Sequence, residues 1–360
     1  IGLQPKVAEL IKNVPSLTHV FLVRDTPDGS IDTQTFCHPG IQVRDFHQAI
    51  EKQPDDQLKH GQAIKGSDTA IYFHTGGTTG KPKIAVLTHS SIAFVAQVYA
   101  DYNHHHGPSA VLNPLPLFHV FGTIAASLAV FIQGRCVILM TPAGFRNSNV
   151  VKNWWFFVEK YQVAWFATVP TIISALLKNP PRNENIDCLK FINSGSAPLP
   201  VELKKTCARQ FNAEVVSGYG MTESSCLIAR CLNGYETPED TVGVRIPYTQ
   251  VITAIVKDRS IQRICDPGEP GEVLVKGPNL FKGYLDPAEN AGAWVDEHWF
   301  NTGDIGVLDE NSYLRLTGRA KDLIIRGGHN IDPQTIEVPL ERHPAIAQAV
   351  AVGQPDAYAG

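Results

Sequence analysis

The sequence predicts an α/β fold: a large domain of parallel or mixed β-sheets covered by helices, followed by a compact β-rich subdomain. Between residues 84 and 178, short apolar strand-like runs alternate with helical patterns, which is typical of βα units on a parallel sheet. From about residue 240 to 317, short segments punctuated by Gly and Pro favour the β-rich subdomain. The length of 360 residues suits two domains, or one large and one partial domain.

The individual elements follow in order along the chain. Residues 6–13 have helical apolar spacing, His19–Val23 is a β-rich run, and residues 68–73 form a strand that leads into a Gly/Thr loop. We then expect strands at 84–87, 109–112, 136–140 and 164–168, alternating with helices at 89–102, 121–133, 149–161 and 170–178. Helices should cover both faces of this parallel sheet.

The C-terminal part has a different pattern of predicted elements. Strands are predicted at 248–256, 271–276, 304–308 and 312–317, and the charged segment 318–328 is predicted as an exposed hinge or linker. Residues 332–342 favour a helix with Pro in its first turn, although Pro339 is unfavourable in a helix interior. A strand-like run at 346–352 follows.

Composition excludes several classes of protein. With 43% apolar and 18% charged residues the chain is of the soluble globular type, and a net charge of −4 offers no basic field for nucleic acid. Seven cysteines without a Cys-x-x-Cys pair argue against a disulfide framework or structural zinc, and predict a reducing, cytoplasmic setting. The uncharged stretch 111–134 is interrupted by Pro and His, so no transmembrane segment is expected. Because the chain starts without Met and stops within a pattern, we expect a portion of a longer protein.

A Gly/Thr/Lys loop after the strand at 68–73 is the strongest chemical signal. Glycines permit close backbone approach, and hydroxyl and ammonium groups suit a triphosphate. It is not a Walker A loop, because three residues separate Gly76 from Gly80 and Pro82 follows Lys81. A flexible loop without a ligand is the alternative. The predicted phosphate-binding residues are Thr75, Gly76, Gly77, Thr78, Thr79, Gly80 and Lys83.

Carboxylates in two other segments are candidate ligands. Glu223 ends a Gly-x-Gly-x-x-Glu segment after a predicted strand, where a lone carboxylate beside phosphates would hold Mg²⁺; the alternative is a solvated carboxylate at a helix start. Asp304 precedes a strand and can accept both hydroxyl protons of a ribose, and Arg319 offers a second polar contact. Taken singly, Asp304 and Arg319 could be ordinary surface charges.

Seven segments of the chain stand out as motifs, in the order YFHTGGTTGKPKIAVLTH, PLPLFHVFG (114–122), NSGSAPLP (193–200), SGYGMTES (217–224), GEPGEVLVKGPNLFKGYL (268–285), FNTGD (300–304) and GRAKDLIIRGGHNI (318–331). Together, and in this order, they resemble the adenylate-forming superfamily, which contains acyl-CoA and aryl-CoA synthetases, luciferases and peptide-synthetase adenylation domains. The resemblance implies a two-step reaction in which a carboxylate attacks the α-phosphate of ATP and a thiol, usually coenzyme A, then takes the acyl group. It also implies that a small α+β domain begins after residue 317.

The resemblance also implies a role for each matching residue. Tyr219 would stack on adenine, Thr222 would contact the α-phosphate, and Glu223 would hold Mg²⁺. Lys83 would balance phosphate charge in the transition state, and His119 would flank the carboxylate and gate the acyl pocket. The adenine site would comprise Gly195, Ser196, Ala197, Pro198, Gly218 and Gly220, while Asp304 and Arg319 would bind ribose.

Around the hinge the resemblance raises an open question. Asp322 matches the hinge about which the small domain swings, and Gly327 and Gly328 match a loop of the pantetheine channel. The family's catalytic lysine lies in a later Gly-Lys segment that does not follow residue 331 here, and the family's large domain begins upstream of Ile1. Three functions therefore stay open: an acyl-CoA synthetase, an adenylation domain that loads a carrier protein, and a nucleotide-binding fragment without turnover. Small residues flanking Tyr219 favour a fatty acid first and an aryl acid second.

Overall fold

The structure is a computed structural model that describes residues 4–23, 33, 36, 38–56, 63–75, 83–105, 110–320, 324–326, 329–331, 333, 336–337, 340, 343, 345–346 and 349–354. It divides into two compact units, Ile1–Ile64 and Lys65–Gly360. The α-helices are α1 Gln4–Asn13, α2 Phe46–Ile50, α3 His89–Tyr102, α4 Ala129–Ile132, α5 Ser148–Lys152, α6 Trp154–Tyr161, α7 Pro170–Leu177 and α8 Val201–Phe211.

The strands of the first unit and of the central region are β1 His19–Leu22, β2 Gln42–Asp45, β3 Thr69–His74, β4 Ile84–Thr88, β5 Ala110–Asn113, β6 Cys136–Leu139, β7 Trp165–Thr168, β8 Phe191–Ser194, β9 Glu214–Tyr219, β10 Ala229–Arg230 and β11 Val244–Arg245. Those that follow are β12 Gln250–Lys257, β13 Ser260–Ile264, β14 Pro270–Lys276, β15 Trp294–Val295, β16 Trp299–Leu308, β17 Leu314–Arg319, β18 Ile324–Arg326 and β19 His329–Ile331. Among the described residues, no helix is both long and apolar enough to cross a bilayer.

A seven-stranded sheet in the order β11-β10-β9-β8-β7-β5-β6 forms the centre of the second unit. Strands β5 to β9 are parallel, and β10 and β11 extend the sheet with antiparallel pairing. Alternate residues of its strands enter two hydrophobic clusters on opposite faces, as Phe166 and Trp165 of β7 do. Helix α3 contributes to one cluster and helices α5 to α8 to the other, so helices cover both faces as predicted.

The predicted β-rich subdomain is a six-stranded antiparallel sheet. Strands β13, β12, β14, β16 and β15 follow in that order, and β17 pairs with β16. Four of its strands match predicted segments, whereas β13 and β15 were not predicted. The boundary predicted at residues 317/318 stays a prediction.

Strand β4 corrects one sequence expectation. Residues 84–87 were expected among the strands of the parallel sheet, but β4 pairs antiparallel with β3 in a separate two-stranded sheet, with Phe73 opposite Ala85. Only nine residues connect the two strands, whereas parallel neighbours need a crossover of about a dozen or more. The loop that connects β3 and β4 contains the predicted phosphate-binding residues.

Two further expectations need correction. The helix predicted over 149–161 is broken at Asn153, whose side-chain amide donates to the Asn149 carbonyl and so competes with the backbone ladder. The strand predicted at 346–352 is not formed at residues 346 and 349–352, where Val350 and Val352 are exposed and no strand lies alongside within the described part. The predicted helix at 332–342 and the hinge segment 321–323 lie mostly outside the described residues.

The helix predicted at 121–133 forms, but its first two turns are wider than an α-helix. Phe121–Leu128 is π-helical and continues into α4. Asn113 Nδ2 and Ser127 Oγ both donate to the carbonyl oxygen of Gly122, at 2.8 and 2.9 Å. A side chain at position 122 would collide with the Pro116 carbonyl, because a Cβ there would lie 2.4 Å from its oxygen. The π-helical segment places Phe121 and Val120 at the wall of a cavity described next.

Candidate active site

A cavity of about 680 Å³ opens at the carboxyl ends of β8 and β9, the position where ligands bind in open α/β sheets. Its walls come from the segment after each of these strands, from β16 and β17, and from the residues that border the predicted phosphate loop. The predicted site residues that line it are Thr75, Lys83, His119, Gly195, Ser196, Gly218, Gly220, Thr222, Glu223 and Arg319.

Thr75 and Lys83 form the base of the predicted phosphate loop. The amide of Thr75 donates to the carbonyl of Lys83 at 2.8 Å, which brings the two ends of the loop together. Lys83 Nζ forms an ion pair with Glu289 at 3.0 Å and lies 4.7 Å from the ring centroid of Tyr284. Gly76, Gly77, Thr78, Thr79 and Gly80 lie outside the described residues, so their phosphate role stays a prediction.

Glu223 is a buried carboxylate that lines the cavity. It is 7% exposed, and its Oε1 accepts a hydrogen bond from the Tyr284 hydroxyl at 2.7 Å. Burial, and then the charge of Glu223, raise the pKa of Tyr284, so this hydroxyl stays a neutral donor. Within the described part of the chain, Glu223 Oε2 forms no hydrogen bond and no group of three or more His, Cys, Asp or Glu could hold a metal. A single carboxylate with a free oxygen fits Mg²⁺, which takes one or two protein carboxylates together with substrate phosphates.

The Ser194–Ser196 turn forms part of the cavity wall. Gly195 lies against the Phe121 ring, and a Cβ there would lie 3.2 Å from the ring edge. Ser196 lines the cavity and has a φ of 66°, in the left-handed region of the backbone. Ala197 and Pro198, predicted in the same site, are not among the lining residues. The adenine role of the turn stays a prediction.

Tyr219, Asp304 and Arg319 form a hydrogen-bonded chain between the two sheets. The Tyr219 hydroxyl donates to Asp304 Oδ2 at 2.6 Å, and Arg319 Nε lies 3.2 Å from Asp304 Oδ1. Burial, followed by the charge of Asp304, raises the pKa of Tyr219. The Tyr219 ring is buried in a hydrophobic cluster with Val273 and Leu314, while its neighbours in sequence, not the ring, line the cavity. Whether this ring stacks on adenine stays a prediction.

His119 is one of the residues that line the cavity. Its Nδ1 accepts the backbone N–H of Phe121 at 3.2 Å, which fixes the neutral ring with its proton on Nε2. Burial, followed by the charge of His74, lowers the pKa of His119. The role of His119 beside the substrate carboxylate stays a prediction.

Among the residues that line the cavity and that the sequence analysis did not predict, two stand out: Tyr284 and Arg230. Tyr284 lies within a recognised motif, but only the fold brings its hydroxyl to Glu223, 61 residues away. Arg230 lies outside every motif and is a buried cation at the cavity wall. The short apolar run at 227–231 with a single Arg in it was the signal available in the sequence.

Solved structures define the class to which this fold and cavity belong. o-Succinylbenzoate CoA synthetase from Bacillus subtilis, in complex with an acyl-adenylate intermediate, is 28% identical with a TM-score of 0.77, and the match covers 94% of this chain and 66% of that one. Its complex with ATP and magnesium is 27% identical with the same TM-score of 0.77, and the match covers 98% of this chain and 70% of that one. The fold is therefore that of the N-terminal domain of adenylate-forming enzymes.

The sequence narrows this class to one family. The AMP-binding enzyme family matches residues 8–285, and the chain belongs to that family. Marinolic acid–CoA ligase from Pseudoalteromonas sp. (strain SANK 73390) is 40% identical over 336 residues, 91% of this chain and 50% of the relative. Long-chain-fatty-acid–CoA ligase from Bacillus subtilis (strain 168) is 34% identical over 322 residues, which are 88% of this chain and 56% of that relative. The chain spans about half the length of these curated relatives.

Proposed function

We propose that this chain is the ATP-binding part of an AMP-forming acid–thiol ligase, which converts a carboxylic acid to an acyl-adenylate and then to a coenzyme A thioester. The observation that carries the proposal is that Thr75, Lys83, Thr222 and Glu223 all line the same cavity. Hydroxyl donors, a cation and one metal-ligating carboxylate suit the triphosphate of ATP. The relatives named CoA ligases support coenzyme A as the acceptor.

In this proposal the residues divide the work by position. Glu223 would hold Mg²⁺, which supplies positive charge to the triphosphate when bound. Lys83 stabilises charge on the leaving pyrophosphate, and the Thr222 hydroxyl donates to the α-phosphate. The Asp304 carboxylate accepts from the ribose hydroxyls while Arg319 holds that carboxylate in place. His119, which lines the same cavity, would flank the substrate carboxylate and gate the acyl pocket.

The remaining assignments belong to the same proposal. The adenine would lie against Gly195 and Ser196, next to Tyr219. Residues 318–360 would form the hinge, at Asp322, and the start of the small domain, with Gly327 and Gly328 beside the pantetheine of coenzyme A. The six cysteines that the structure describes are free thiols, which supports a reducing, cytoplasmic setting. A fatty acid is the first candidate substrate and an aryl acid the second, supported by the fatty-acid and o-succinylbenzoate ligases among the relatives.

ATP–pyrophosphate exchange by the protein carrying this sequence tests the proposal. Exchange should depend on both a carboxylic acid and Mg²⁺, and the nucleotide product with coenzyme A present should be AMP. Formation of ADP would instead indicate acyl phosphate chemistry and contradict the proposal. Replacing coenzyme A with a phosphopantetheinylated carrier protein separates the two acceptors. ATP binding without acid-dependent exchange would identify a nucleotide-binding chain without turnover.

A further inference from the structure

Lys83 is paired with a carboxylate that lies beside the cavity. Its Nζ lies 3.0 Å from Glu289 Oε2 and donates to the Glu289 carbonyl oxygen at 3.5 Å. Lys83 lines the cavity, whereas Glu289 is not among the lining residues. Glu289 also lies between the motifs at 268–285 and 300–304, so no motif predicted it. The cation proposed to meet the leaving pyrophosphate is thus held by an anion next to the site.

The two segments that carry this ion pair are hydrogen-bonded to each other. Lys83 directly precedes β4, which pairs through Ala85 with Tyr284. Asn290, next to Glu289, accepts the Tyr284 amide at 2.8 Å with its Oδ1 and donates to the Tyr284 carbonyl at 3.2 Å with its Nδ2. The backbone therefore places the Glu289 carboxylate beside the Lys83 ammonium.

A phosphate that approaches Lys83 must either share the ammonium with Glu289 or replace Glu289. Sharing brings two anions to one cation, and their mutual repulsion opposes this arrangement. Replacement leaves the Glu289 carboxylate hydrated, because its side chain is 34% exposed. Because the Lys83 side chain is also 41% exposed, the ion pair itself contributes little and can be exchanged. Exchange is therefore the favoured arrangement.

We propose that Glu289 competes with the phosphates of ATP and of pyrophosphate for Lys83, and so weakens the binding of both. Glu289 is a positioning residue, since it acts through Lys83 rather than by contact with the nucleotide. This proposal rests on the proposed function, in which Lys83 stabilises charge on the leaving pyrophosphate. AMP lacks the β- and γ-phosphates, so Glu289 does not affect its binding.

Calorimetric titration with ATP, pyrophosphate and AMP, each with Mg²⁺, tests the proposal without requiring turnover. Glu289→Gln removes the charge and keeps the side-chain shape. We expect the Kd of ATP and that of pyrophosphate to fall by about 2- to 5-fold, as the loss of a competing, partly exposed ion pair predicts, with the Kd of AMP unchanged. An unchanged or higher Kd for ATP, or an equal fall for AMP, would overturn the proposal. A wild-type protein that binds none of the three ligands would refute the proposed function, and this proposal with it.

A double variant shows whether Glu289 acts through Lys83. In a Lys83→Ala background, Glu289→Gln should leave the Kd of ATP unchanged, because the cation for which Glu289 competes is absent. An undiminished fall in that background would show direct repulsion between Glu289 and the phosphates and overturn the proposal. Glu236→Gln, at an exposed glutamate, is the matched control and should bind all three ligands as the wild type does. A fall in the Kd of ATP in this control as large as that in Glu289→Gln would show a general effect of net charge, which also overturns the proposal.

Discussion

Removing the Tyr284 hydroxyl tests how Glu223 is positioned. Tyr284→Phe deletes the donor that lies 2.7 Å from Glu223 Oε1 but keeps the ring that contacts Lys83. A hydrogen bond to a charged group contributes about 1.5–3 kcal/mol, and about 1.36 kcal/mol corresponds to a tenfold change in rate. If the bond acts fully in the transition state, kcat/KM for adenylation should fall by about 10- to 150-fold.

The measurement is ATP–pyrophosphate exchange as a function of Mg²⁺ concentration. Because Tyr284 orients the proposed metal-binding carboxylate, the Mg²⁺ concentration for half-maximal rate should rise, whereas a change that only loosened the fold would lower kcat at every concentration. Tyr235→Phe removes a hydroxyl from an exposed tyrosine and should leave both quantities unchanged. A Tyr284→Phe variant with wild-type exchange and wild-type Mg²⁺ dependence would refute the positioning role.

Three other substitutions and one chemical treatment give separate expectations. Glu223→Gln keeps the side-chain shape but removes the charge, and should abolish Mg²⁺-dependent exchange with the circular dichroism spectrum intact; unchanged exchange would remove Glu223 from the site. Lys83→Ala should be milder, at about 1–3 kcal/mol of transition-state stabilisation, and a wild-type rate at saturating ATP would contradict its role. Because the pKa of His119 is lowered in the folded state, its neutral ring contributes stability that is present above pH 6.5 and lost as the pH falls through the folded-state pKa. The free energy of unfolding of His119→Asn, measured with urea, should therefore depend less on pH than that of the wild type between pH 7.5 and 5. A thiol reagent should label exposed Cys136 at once and Cys226 only on unfolding, because Cys226 is buried and its pKa is raised to about 12; fast labelling of Cys226 would contradict its burial.

The sequence predicted the elements of the fold better than their pairing. Apolar periodicity located strands β5 to β7 and helix α3 because their burial follows directly from the pattern. It could not place β4, whose residues look like those of any buried strand; the short connection from β3 was the decisive clue. Strands β10 and β11 are two residues each, too short to have a periodicity of their own.

The candidate site shows the same division. Motif order identified Glu223, Asp304 and Arg319, and the fold brings Asp304 and Arg319 together as an ion pair. The Tyr284–Glu223 hydrogen bond and the hydrogen bonds of Arg230 to Asn103 and Asn193 join residues 37 to 127 positions apart, and a single sequence does not show which distant residues will pair. Burial of an arginine is likewise a tertiary property, since arginine is among the residues most often exposed.

Because Phe121–Leu128 is π-helical, the number of residues in this segment determines the shape of the adjacent cavity. The segment holds its π-helical form because the Gly122 carbonyl is engaged by Asn113 and Ser127, and Phe121 consequently lies against Gly195. Deleting one residue within these turns restores α-helical spacing and rotates Phe121 by about 100° relative to α4. The ring then leaves Gly195, and the part of the cavity wall that the ring forms opens in one discrete step. Insertion or deletion in this helix thus changes the space for substrate in a way that no single side-chain replacement can reproduce.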